Sequence, residues 1–158
     1  MTQEEKIKQD IIDKFNYLKD SIIIKRERRL FLDVEADKFG EVFDYLVKNM
    51  NVSILSAITG MDDVNRYAVI YHIGKENGVM VNVRACLSKD NPVVNTVTSY
   101  FPAADIYERE LTDLLGIKVN GLGEGQRYPL PEDWPENDHP LRKDWKGSFA
   151  PIAEVENG

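Results

Sequence analysis

Glu108, Glu110 and Asp113 put carboxylates close together on one short stretch, and paired carboxylates are what general acid–base catalysis uses. A hydrolase needs two of them facing one another across a cleft, in environments that separate their pKa values. This stretch has the apolar spacing of a helix, on which Glu108 and Glu110 project about 200° apart. They cannot converge on one substrate. As solvated or ion-paired helix residues they need no catalytic role. A free-standing acid–base enzyme using Glu108 or Glu110 is the competing reading from a different class. Arg109 and Asp113 stand at i and i+4, the spacing of an ion pair along the helix.

The other reactive side chains are sparse. His72, His139 and Cys86 are the chain's histidines and its cysteine, and no pair of them has a familiar metal-ligand spacing. One cysteine builds neither a thiolate zinc site nor an iron–sulfur cluster. Gly121-Leu122-Gly123-Glu124-Gly125 has the look of a phosphate loop, but it follows a helix and leads into proline-rich chain, where a dinucleotide fold needs a strand before and a helix after. No nucleophile elbow or Cys–His arrangement is present. The residues therefore assign no catalytic, cofactor-binding or metal site.

The elements that must position these groups follow from patterning. Ile7, Ile11, Phe15 and Leu18 recur at helical spacing over Gln3–Lys19. Ile22–Ile24 and Leu30–Val34 read as strands pairing across the basic run Lys25-Arg26-Glu27-Arg28-Arg29, a solvated hairpin tip. A second helix is expected over Asp37–Met50, capped by Asp37, and a short strand over Ala57–Asp62. Tyr67–Ile73 and Val79–Leu87 alternate as a hairpin turned by Asn77-Gly78. A short helix is expected over Val93–Tyr100. The last helix covers Ile106–Leu115, with Asp105 and Glu108 in the places of a capping box and Gly116 as the residue that ends it.

This order predicts an α+β fold, an antiparallel-rich sheet with helices on one face, followed by a long extended C-terminal arm. The compact domain is expected over residues 1–117 and the arm over 118–158. From Asn120 onward prolines forbid long helices and central strands, yet Tyr128, Leu130, Trp134, Leu141, Trp145 and Phe149 supply large apolar groups. Such an arm either lies on another protein or folds back on its own domain. The net charge of −7 argues against binding to phosphate backbones. No apolar run spans a bilayer and the N-terminus lacks a signal-peptide core, so a cytoplasmic protein that meets membranes through partners is expected.

Glu108-Arg109-Glu110-Leu111-Thr112-Asp113-Leu114-Leu115-Gly116-Ile117 resembles the E-R-E-x-x-D-[apolar]-[apolar]-G-I hallmark of the 30-kilodalton (C) subunit family of respiratory complex I. Thr59-Gly60-Met61-Asp62, Leu130-Pro131-Glu132-Asp133-Trp134 and His139-Pro140-Leu141-Arg142-Lys143-Asp144 resemble three further family motifs, in the family's order. The shortened stretch at Gly121–Tyr128 and the short segment after Asp144 look more like the homologous subunit of energy-converting (Ech/Mbh-type) membrane-bound [NiFe] hydrogenases than like that of an NADH-linked quinone reductase. The resemblance implies a structural and assembly subunit without a cofactor of its own, on the cytoplasmic side of the cell membrane. Its implied partners are a large catalytic subunit, housing a NiFe or quinone site, and a small Fe–S subunit. It also implies that the arm docks by ordering on its partner. Glu108, Arg109, Glu110, Asp113, Arg127, Trp134, Pro140, Leu141, Arg142, Lys143, Asp144 and Trp145 are the implied partner-binding residues. Arg109, Arg127, Arg142 and Lys143 would form interface ion pairs, and Trp134, Leu141 and Trp145 would be apolar anchors.

Overall fold

The computed structural model describes residues 1–147; Phe149 and Pro151 of the arm lie outside the described residues. Helix α1 (Gln3–Lys14) begins with a capping box in which Thr2 and Glu5 satisfy each other's backbone N–H groups. Its Ile7 and Ile11 are buried. Strands β1 (Ile22–Arg26) and β2 (Arg29–Glu35) pair antiparallel across the basic tip, as the sequence predicts. Helix α2 (Ala36–Lys48) buries Phe39, Val42, Phe43 and Leu46. Asp37 does not cap it, because the cap falls two residues earlier, at Glu35, and Asp37 lies inside the first turn.

Strands β3 (Ile54–Asp63), β4 (Arg66–Gly74) and β5 (Met80–Ser88) form an antiparallel meander. The sheet order is β1-β2-β5-β4-β3, with β2 and β5 the parallel neighbours. Period-two alternation puts Leu30, Leu32, Val69, Tyr71, Ile73, Val81 and Val83 on the helix-covered face, each solvent-free. Full burial of such an aliphatic side chain contributes about 1.5–3 kcal/mol. Phe39 stacks on Tyr71 at 4.6 Å between ring centroids, and Phe43 meets Tyr71 edge-on at 5.3 Å. Those rings join α2 to the sheet.

Residues 93–100 depart from the expected helix. Strand β6 (Val93–Asn95) pairs in parallel with β7 (Lys118–Asn120), and the two flank helix α3 (Ala104–Leu115). Val93 and Val94 are β-branched, and their partners Lys118 and Val119 come from beyond α3, so the pairing is invisible to a local pattern.

Other than Asn, the described non-glycine residues with positive φ are Arg28 (φ 59) and Val64 (φ 51). Each sits at a hairpin tip, Arg28 between β1 and β2 and Val64 between β3 and β4. A left-handed conformation costs a residue with a Cβ about 1–2 kcal/mol.

Candidate partner-docking surface

The hallmark helix α3 is embedded more deeply than its charges suggest. Its N-cap, Ala103, makes no side-chain hydrogen bond, and Asp105 lies within the helix instead of capping it. Asp105 takes Arg109 in a two-pronged contact, Nε and Nη2 each at 2.9 Å from a carboxylate oxygen. The expected Arg109–Asp113 pair does not form, since Arg109 points back one turn. The same guanidinium donates to the Gly123 carbonyl at 2.9 Å. A Cβ at Gly125 would stand 2.7 Å from Arg109 Cζ, so the glycine run lets the loop cross that flat group.

Glu108 is fully buried, not solvated. Its Oε1 accepts from the Val97 backbone N–H at 2.7 Å and its Oε2 from the Thr96 hydroxyl at 2.6 Å. Burial pushes its carboxyl above the usual range, against the lowering effect of those two donors. Both oxygens are engaged on the segment after β6, so Glu108 faces no cleft. Glu110 is half-buried on the same helix.

Asp113 gathers the arm. Arg127 Nε lies 3.3 Å from its Oδ1, and the Leu130 backbone N–H donates to Oδ2 at 3.1 Å. Arg127 continues to the Trp134 carbonyl at 2.7 Å. The last α3 carbonyls, which a helix leaves without partners, are closed from the arm. His139 Nδ1 is 2.8 Å from Asp113 O, Leu141 N–H donates to Leu114 O at 3.0 Å, and Arg142 Nε donates to Leu115 O at 2.8 Å. Cationic and imidazole groups at a helix C-terminus also suit its dipole.

Glycines make this approach physically available. Gly116, at φ 69, ends α3 in the left-handed conformation, and a Cβ there would overlap Arg142 Nη2 and sit 2.7 Å from the His139 ring. Gly60 on β3 lies under α3, where a Cβ would come 2.5 Å from Leu115 Cδ1. Two residues on, the buried Asp62 accepts from the Lys143 backbone N–H at 2.9 Å. Lys89 Nζ forms an ion pair with Asp62 Oδ1 at 2.6 Å. The Arg142 guanidinium lies 5.6 Å over the Tyr67 ring.

The four motifs therefore meet in one place. Of the two fates left open for the arm, the described part to Gly147 folds back on its own domain. Arg109, Arg127 and Arg142 are engaged within the chain, while Lys143 and Asp144 are exposed and Pro140 is half-buried. Trp134 and Trp145 both turn their indole N–H toward Asp138, to its carbonyl at 3.0 Å and its carboxylate at 2.5 Å. Leu141 is 55% exposed and Trp145 39% exposed beside this clamp. The result is a pre-shaped surface with two large apolar side chains in solvent. Gly60, Asp62, Gly116 and Asp138 were not singled out as site residues by sequence reasoning. For the first three the signal was in the motifs: each occupies a fixed place whose requirement is steric or electrostatic. For Asp138 there was none.

His72 serves the opposite face of the sheet, with Nε2 3.0 Å from Thr59 Oγ1 and Nδ1 2.7 Å from Asn82 Oδ1. Cys86 is buried on β5. Among the described residues no three His, Cys, Asp or Glu side chains are grouped to hold a metal ion, and no helix is long and apolar enough to cross a membrane.

Comparison with known proteins agrees with this geometry. The model of the family described as respiratory-chain NADH dehydrogenase, 30 Kd subunit, matches residues 32–150. Formate hydrogenlyase subunit 5 of Escherichia coli (strain K12) is 31% identical over 97% of this chain, which spans 29% of that relative's length. The NADH-quinone oxidoreductase C subunit of Moorella thermoacetica is 31% identical over 73% of this chain and 78% of its own. Among solved structures, a chain of the membrane-bound sulfane sulfur reductase, an archaeal respiratory membrane complex, superimposes with a TM-score of 0.78. It is 30% identical and the match covers 92% of this chain and 86% of that one.

Proposed function

This chain belongs to the respiratory-chain NADH dehydrogenase 30 Kd subunit family, and on that premise we propose that it is a docking and assembly subunit of an energy-converting, membrane-bound [NiFe] hydrogenase. In this reading it does no chemistry and holds no cofactor. It sits on the cytoplasmic side of the membrane, against a large catalytic subunit and near a small Fe–S subunit that carry the redox groups. Alignment with formate hydrogenlyase subunit 5 over 97% of the chain supports the hydrogenase assignment. The second reading, the equivalent subunit of a quinone-reducing dehydrogenase, is supported by the Moorella relative.

The observation that carries the docking role is the arm closed onto α3, leaving Leu141 and Trp145 in solvent on a hydrogen-bonded frame. Exposed Trp and Leu side chains held in place make efficient anchors, because little freedom remains to be lost on binding. Deleting the arm is a poor test, since it would also strip the partners of the last α3 carbonyls. Leu141→Asp with Trp145→Ala is a cleaner one. The double variant should keep the wild-type circular dichroism, with a thermal midpoint lowered only by the lost Trp145–Asp138 hydrogen bond, yet lose the large subunit on co-purification from its host. Normal assembly by the double variant would refute the assignment of this surface. Subunit identities from mass spectrometry would separate the hydrogenase from the quinone reductase.

A further inference from the structure

The two hairpin tips carrying Arg28 and Val64 stand at opposite ends of the sheet, because Arg29 pairs with Met80 in the row that ends at Gly74, whereas Asp63 pairs with Arg66 at the other end. The arm gathers at the Val64 end, through Asp62. The docking reading leaves the Arg28 end unused. A two-residue hairpin connection ordinarily takes Gly or Asn where φ is positive, and this chain places an arginine there. Its backbone is held from several sides. The buried Glu4 carboxylate of α1 accepts from Arg28 N–H at 2.6 Å, and the Arg28 carbonyl accepts from Met80 N–H at 3.0 Å and from Arg29 Nη1 at 2.9 Å. Arg26, Arg28 and Arg29 line an open cleft of about 570 Å³ with Glu27 and Gly78. A rule of turn chemistry is broken where the surroundings enforce the break, a pattern that marks functional positions.

We propose that this tip recognises a carboxylate-bearing segment of a neighbouring subunit, with the Arg26, Arg28 and Arg29 guanidiniums as donors. The proposal rests on the docking-subunit reading and adds a second contact to it. Guanidinium forks match carboxylates in two-pronged geometry. In a chain of net charge −7, a cationic end also orients an approaching acidic surface. Glu27, which lies 3.8 Å from Arg28 Nε in a solvent-exposed ion pair and keeps its side chain 86% exposed, distinguishes the source. A uniformly anionic lipid surface would repel it, whereas a protein surface can set one basic group among its carboxylates. The seven residues of β2 separate this tip from the arm's end by roughly 20 Å, so the tip reaches a surface that the arm does not.

The test uses the complex purified from its host through a tag on this chain. Zero-length carbodiimide coupling followed by mass spectrometry should join Lys25, next to Arg26, to an Asp or Glu of a co-purifying subunit. Combined Arg26→Glu, Arg28→Glu and Arg29→Glu should abolish that coupling and weaken retention of that subunit about tenfold at moderate salt. Arg28→Gly guards against misfolding: it relieves the turn, so the chain should be at least as stable while retention still weakens. Three results overturn the proposal: unchanged retention in both variants with no inter-subunit Lys25 coupling, coupling only to a second copy of this chain, or arginine-dependent sedimentation with phosphatidylglycerol vesicles. A wild-type chain that co-purifies with no subunit at all would remove the docking reading, and this proposal with it.

Discussion

His139 Nδ1 stands 2.8 Å from the main-chain carbonyl oxygen of Asp113, twenty-six residues earlier in the chain. A carbonyl can only accept, so Nδ1 is the donor in this hydrogen bond. With Leu141 N–H and Arg142 Nε on the next two carbonyls, the H-P-L-R motif is the missing end of helix α3.

That relationship makes Gly116 the most sensitive glycine of the surface. Gly116→Ala should destabilise the chain by about 1–2 kcal/mol from the left-handed backbone alone, and more once Arg142 and His139 are displaced. His139→Ala should cost about 0.5–1.5 kcal/mol for the lost hydrogen bond. Urea midpoints with unchanged slopes would confirm both, and a neutral Gly116→Ala would refute the close approach.

Glu108 gives a pH signature. Its folded carboxyl holds a proton more tightly than the unfolded chain does, because burial raises it. Its stabilising contribution is therefore fully present below the ordinary glutamate value, about 4.3, and is lost as pH rises through the raised folded value. Glu108→Gln should delete that decline from the stability–pH curve while keeping an acceptor for Val97 N–H. Glu108→Ala leaves that buried N–H without its partner and should cost about 1–3 kcal/mol at any pH.

Asp62 behaves oppositely. Burial alone would raise its carboxyl, but the Lys89 ammonium and the Lys143 N–H outweigh it and hold the group below its usual value. Its contribution is present above the ordinary aspartate value, about 3.9, and disappears as pH falls through the lowered folded value. Protection of the Leu141, Arg142 and Lys143 amides, taken relative to the intrinsic exchange rate at each pH, should fall in acid, and in Asp62→Asn already at neutral pH. Exchange unaffected by this substitution would show that Asp62 does not hold the arm.

Asp113→Ala should loosen the earlier part of the arm. It removes the partner of Arg127 and the acceptor for Leu130 N–H, a loss of about 1.5–3 kcal/mol for hydrogen bonds to a charged group. Limited proteolysis between Gly121 and Leu130 should then be faster than in the wild-type chain.

Much of the fold was readable because it depends on local rules. The β4–β5 hairpin follows from alternating Tyr67–Ile73 and a turn at Asn77-Gly78, whose Gly78 takes φ 83. Helix α2 follows from its apolar stripe. What escaped depends on distant partners. Val93–Asn95 becomes a strand only because Lys118–Asn120 lies beside it. Arg109 had acidic residues one turn away on either side, Asp105 and Asp113, and spacing cannot choose between them. The choice was made by Arg127, which claims Asp113 from the arm. The same applies to Glu108: helical position could not reveal that Thr96 and Val97 would close over it.

Because the final turn of α3 is completed by His139, Leu141 and Arg142, a ribosome that has released only Met1–Ile117 exposes a helix with an open carboxyl end. The surface built on that helix does not exist until His139–Arg142 have been made. Chains that stop short of His139 therefore lack the face that the arm and α3 build together.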